Sequence, residues 1–254
     1  MKRNIIAEKK QLGLALLYCI ILSLGAFIAY SLPAAPGLTY ISNSTSSNSG
    51  IGENITNDLG GGYIMTINLD VLQQNLGWKA YVGNVSGRFV LEDSDGYSIY
   101  EWDMSLNTEG KVFASRNGTV DWTSINCSNR SSSVDGEETY LGITGSDSDS
   151  INSTFNYTAH KTFGVAGRSM NLDSCPSIAT FYNNSEQTPS ATAKFQEVLL
   201  SDNEGNGNLV YTSIMEADEI AYRNDTTFDF QMIVADSESV GVITNYYFYV
   251  ELGI

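Results

Sequence analysis

From about Tyr63 to the C-terminus, apolar and polar residues alternate with period two, the spacing of strands rather than of helices. "TTFDFQMIVA" sets Phe228, Phe230, Met232 and Val234 on one face. "VITNYYFYVEL" sets Val242, Thr244, Tyr246, Phe248 and Val250 on one face, with Tyr247 and Tyr249 on the other. "YSIYEWDM", "KFQEVLL" and "NLVYTSIM" read as further strands, and "DSDG", Asp93 to Gly96, reads as a hairpin turn. "ATAKFQEVLL" has a competing helical reading through Phe195, Val198 and Leu199. The pattern predicts a mainly β chain whose folded part, residues 63–254, is an antiparallel β-sandwich.

The first part of the chain follows another pattern. Leu12 to Leu32 contain no charged residue over 21 positions, long enough to cross a hydrocarbon layer about 30 Å thick as a helix. Lys2, Arg3, Lys9 and Lys10 precede the run, which puts residues 1–11 on the cytoplasmic side. Pro33 and Pro36 end it. Three fates are open to such a segment. It is a retained transmembrane anchor, a cleaved secretory signal, or a pilin-type leader cut before the apolar helix. The signal reading conflicts with the length of the run, since signal cores span about 7–15 residues. "KKQLG" before Leu14 resembles the entry of type IV pilins, but two residues separate the basic pair from Gly13 and no early Glu follows. The expectation is the anchor. Residues 33–62, rich in Ser, Asn, Thr and Gly from Ile41 onward, read as a flexible spacer.

Charge and composition agree with an outward-facing domain. Only 17% of residues are charged, 11% are aromatic, and the net charge is −16. Aromatic content at that level argues against disorder, and the acidity excludes nucleic acid as a partner because phosphates require a basic face. Cys127 and Cys175 are the two cysteines of the folded part, and an even pair outside the cytoplasm predicts a disulfide. Cys19 lies in the apolar run.

Ten N-x-S/T sequons start at Asn43, Asn54, Asn84, Asn117, Asn126, Asn129, Asn152, Asn156, Asn183 and Asn224. The chain's 22 Asn and 49 Ser plus Thr would generate about four by chance. Glycosylation is therefore expected, against the alternative that a Ser- and Asn-rich surface makes sequons by composition alone.

Catalytic chemistry finds little footing. "GNVSG" around Ser86 is not the G-x-S-x-G elbow of hydrolases, and strands are expected on both sides of it. His160 is the single histidine, and it reads as an ordinary surface residue. Zinc lacks a ligand set. "LEDSDG" fails the EF-hand loop at Leu91, and "GSDSDS" leaves Asp147 and Asp149 as weak calcium candidates, more simply read as a solvated turn. Trp78, Trp102 and Trp122 are a candidate aromatic surface for sugars or a protein partner, with core packing as the plainer reading. No cofactor and no catalytic residue is expected.

"WKAYVGNVSG…VLEDSDGYSIYEW…VFASRNGTVDWTSINC", Trp78 to Cys127, resembles a segment that recurs in uncharacterised archaeal cell-surface proteins. The resemblance covers roughly a fifth of the chain and implies a membrane-anchored or secreted envelope protein with archaeal N-glycans. The resulting expectation is a single-span surface protein with a structural or adhesive role, its partners being the membrane, other envelope proteins or copies of itself, and glycans. A pilin-like filament subunit, assembled by helix packing or by donation of a strand, is the alternative. A carbohydrate-binding module is the second alternative.

Overall fold

A computed structural model describes residues 32–42, 75–103, 110–239 and 242–253. The described residues all fall within one compact unit, Leu32–Ile254. Residues 1–31, which hold the leader and nearly all of the expected span, lie outside the described residues, as do residues 43–74 with Asn43 and Asn54. Among the described residues no helix is long and apolar enough to cross a membrane.

The chain is mainly β, and its sheets are antiparallel. In order the strands are β1 (Trp78–Gly83), β2 (Arg88–Glu92), β3 (Ser98–Asp103), β4 (Lys111–Ser115), β5 (Asn126–Cys127), β6 (Phe163–Val165) and β7 (Arg168–Met170). They continue as β8 (Ser177–Ala179), β9 (Gln196–Ser201), β10 (Leu209–Ile214), β11 (Glu219–Ile220), β12 (Thr227–Phe228), β13 (Phe230–Ala235) and β14 (Tyr247–Glu251). The central sheet runs β14-β4-β10-β9, and the far edge of β9 is shared by two short strands, β5 and β8.

Burial makes this sheet the middle of the molecule. Every residue of β4, β9 and β10 is buried. Alternation then feeds two cores, one per face. Val112, Ala114, Leu199 and Tyr211 point into the first, which β1, β13 and the segments around Val134, Leu141, Ile151 and Phe155 close over. Phe113, Val198, Leu200, Val210 and Ile214 point into the second, covered by the β6–β7 hairpin and Trp122. "KFQEVLL" is thus a strand, and its near-continuous apolar run is what two-sided burial requires.

Short helices at Asp135–Leu141 and Ile151–Thr154 lie beyond the period-two expectation. The first carries Asp135, Glu137 and Glu138 in its opening turn, where the backbone dipole favours anions, and ends at Gly142 with φ 75°. Glu138 accepts the Asn152 amide at 2.8 Å and so caps the second. Only Leu141 and Ile151 among their side chains are buried apolar residues, too few to produce a periodic signal.

The expected disulfide is present. Cys127–Cys175 joins the end of β5 to the segment leading into β8, with the Cα atoms 4.8 Å apart. Strands of two and three residues hold few ladder bonds, and the cross-link ties both together beside β9. Closing a loop 48 residues long contributes about 3–4 kcal/mol.

Candidate interaction surface

The stretch from Asn84 to Gly87 lies between β1 and the β2–β3 hairpin. Asp229, 1% exposed, accepts the Val85 amide at 2.7 Å and the Asp218 amide at 3.2 Å. Gly87 lies so close to Leu252 that a Cβ would stand 2.5 Å from its Cδ1. These contacts fix where the hairpin leaves the domain. Ser86 is an exposed residue of this crossing.

β2 and β3 form a two-stranded sheet of their own. The turn follows from "DSDG": Asp93 Oδ1 accepts the amides of Asp95 and Tyr97, each at 2.9 Å, and Gly96 adopts φ 84°. The register pairs Phe89 with Trp102 and Leu91 with Tyr100, which places these four on one face. Tyr100 and Trp102 meet edge to face at 4.8 Å. Leu91, Tyr100 and Trp102 are 54%, 59% and 49% exposed. The opposite face carries the Arg88–Glu101 ion pair. A lone hairpin is marginal in water and is normally stabilised by a covering layer, and among the described residues this face stays about half exposed at Leu91, Tyr100 and Trp102.

Of the three tryptophans, only Trp102 is a surface residue. Trp78 is half-buried against the first core, its indole donating to Asp149 O at 2.8 Å. Trp122 packs in the second core 5.0 Å from Phe113 and 5.2 Å from Tyr249. The period-two pattern already contained the companions of Trp102, since Phe89, Leu91 and Tyr100 fall on its face once the turn is set at Asp93.

His160 is not on the surface. It is fully buried, and Nε2 accepts the amides of Ser174 and Cys175 at 3.0 and 2.8 Å. Nδ1 donates to Lys161 O at 2.8 Å. With both nitrogens engaged by the backbone, the ring organises the segment around Cys175 and has no nitrogen left to serve Ser86. Asp149 Oδ2 accepts from Asn75, and the backbone of Asp147 caps the turn through Thr144 and Ser150. Among the described residues no three His, Cys, Asp or Glu side chains come together as a metal site.

A shallow polar cavity of about 230 Å³ is lined by Ser115, Arg116, Asn117, Glu137, Asn208 and Leu209. Its polar groups are already engaged. Arg116 forms a two-point ion pair with Glu137 at 2.6 and 2.7 Å and lies over the Tyr140 ring. Asn117 binds Thr119, and Asn208 binds Asp202. The hairpin, not this cavity, is the open surface.

No family model, curated protein or solved structure matches the chain.

Proposed function

We propose that the chain is a membrane-anchored, glycosylated cell-surface protein with an adhesive or structural role and no catalysis, and that the β2–β3 arm is its contact element. The apolar face of Phe89, Leu91, Tyr100 and Trp102, about half exposed at the last three, carries this reading. The Cys127–Cys175 bridge supports an oxidising location, and the charge-free run from Leu12 to Leu32 behind a basic leader supports an anchor. The resemblance of Trp78 to Cys127 to archaeal surface proteins supports the same placement. We read the β1–β13 pair over one face of the central sheet as the second layer of a β-sandwich.

The arm's own charges define its partner. Glu92, Asp93 and Asp95 rim the tip. The fitting occupant is an apolar patch edged by Lys or Arg on another envelope protein. A sugar ligand has less support, because Tyr100 and Trp102 meet edge to face and present no flat platform. The test is attachment between the cells that make the protein. Tyr100→Ser with Trp102→Ser abolishes it while the protein stays on the cell surface. Unchanged attachment overturns the reading.

A further inference from the structure

Ala34, in the expected spacer, is docked on the outer edge of β14. Its amide donates to Val250 O at 2.9 Å, and its carbonyl accepts the Val250 amide at 2.8 Å. The pairing is antiparallel and one residue pair deep. Its register explains why it stops. Continued along the edge, it would set Pro36 opposite Phe248, and proline has no N–H to give the Phe248 carbonyl. Alternate residues of a strand face alternate edges. Phe248 therefore faces the same outer edge as Val250, while Tyr247 and Tyr249 face β4. Among the described residues the edge is closed at Val250 and open at Phe248.

We propose that this open edge of β14 takes a strand from a second copy of the chain, the donor being Gly37–Ser42. Beyond Pro36 the donor contains no proline, and it exposes Leu38, Tyr40 and Ile41 by 74%, 74% and 89%. The charge pattern allows that partner to be another copy. The chain carries −16, so two copies repel through most of their surfaces. Yet residues 32–42 and residues 242–250 contain no charged side chain at all, in a chain that is 17% charged. At these two stretches like can meet like without charge repulsion. Main-chain hydrogen bonds supply the affinity, and the alternating side chains of the donor set the register. Donor and acceptor are different surfaces, so the contact is heterologous and repeats from copy to copy as a ring or a filament. It is independent of the arm, whose partner is a different protein.

The test uses full-length chain in detergent micelles with Cys19→Ser, mixed from two differently tagged versions. One carries Tyr40→Cys and the other Tyr247→Cys, both at exposed positions, and a short bis-maleimide joins thiols within reach. The expected product contains one copy of each version. Thr39→Pro in the donor removes a strand N–H and lowers the yield about tenfold without changing the circular dichroism of the domain. No product, a yield indifferent to Thr39→Pro, or product only between two Tyr247→Cys copies overturns the proposal. None of these outcomes touches the arm, which the attachment assay reads separately.

Discussion

Glu197, in the middle of the central sheet, accepts the Ile233 amide at 2.9 Å across the face of that sheet. β13 is paired by β1 along one edge only, so its other edge needs partners, and side chains of β9 and β10 supply them. Ser213 plays the matching part, donating to Gln231 O at 2.8 Å. Glu197 is fully buried, and its Oε1 has no hydrogen-bond partner among the described residues. Burial pushes its carboxyl well above the ordinary 4.5, the Ile233 amide opposing weakly.

A stability profile follows from that carboxyl. A folded value above the unfolded one means that the native state holds the proton more tightly. Stability is fully present below the unfolded value of 4.5 and falls by about 1.4 kcal/mol per pH unit as pH rises towards the folded value. Glu197→Gln keeps an oxygen for Ile233 and cannot ionise. Thermal melts of the two proteins should coincide near pH 4, and the variant should melt higher at pH 7. Parallel curves across that range would rule the assignment out.

His160 titrates with the opposite consequence. Burial lowers its value below the ordinary 6.5, with the Lys161 carbonyl and Asp173 opposing. Asp173 Oδ1 accepts the His160 amide at 3.2 Å, and the Phe163 ring lies 5.5 Å away. Protonating Nε2 would turn the acceptor of two amides into a donor. The stabilisation is complete above the unfolded value of 6.5 and is lost as pH falls from there through the folded value. Denaturant unfolding between pH 5 and 8 should show that loss. His160→Gln should flatten it and cost about 1–3 kcal/mol at pH 8. A variant with the parent's full pH slope places the titration elsewhere.

Two tryptophans separate the arm from the core. Trp122→Ala removes a buried ring between Phe113 and Tyr249 and should cost about 3–5 kcal/mol. Trp102→Ser removes a ring that is 49% exposed and, among the described residues, makes ring contact only with its hairpin neighbour Tyr100, and should change stability by no more than about 0.5 kcal/mol. Equal costs in denaturant titrations would mean that the arm is packed against the domain.

The strands were legible because alternation at Phe228–Val234, at Tyr246–Val250 and around Asp93–Gly96 is a local property of the chain. The disulfide was legible because two cysteines allow one pairing. What escaped notice was set by distant partners. His160 sits in a polar run, "NYTAHKTF", and is buried only because the segment around Cys175 folds over it. Glu197 interrupts an apolar strand, and its reason is an amide 36 residues away. The open edge at Phe248 depends on which residue of a remote segment meets Val250. The arm lay between these cases: its pattern was visible, but its exposure required knowing that no other described strand pairs with it.

Sequon occupancy can be argued residue by residue. Asn84, Asn156, Asn183 and Asn224 are exposed. Asn129 is also exposed, but its side chain binds both Ser131 and Asn206. Asn152 is half-buried and holds Arg130 at 2.6 Å. Asn126 is the most enclosed case. It lies in β5, its neighbour Cys127 is disulfide-bonded, and the sequon hydroxyl on Ser128 is 6% exposed. Glycosylation there has to reach a half-buried Asn and a buried sequon hydroxyl inside a strand held by the sheet and the cross-link together. Peptide mapping of protein from its own cells should find sugar at the four open positions and none at Asn126, Asn129 or Asn152. Sugar on Asn126 in molecules whose Cys127–Cys175 bridge is intact would mean that β5 does not pair as described. A bare chain at all four open sites would mean that the excess of sequons reflects composition alone.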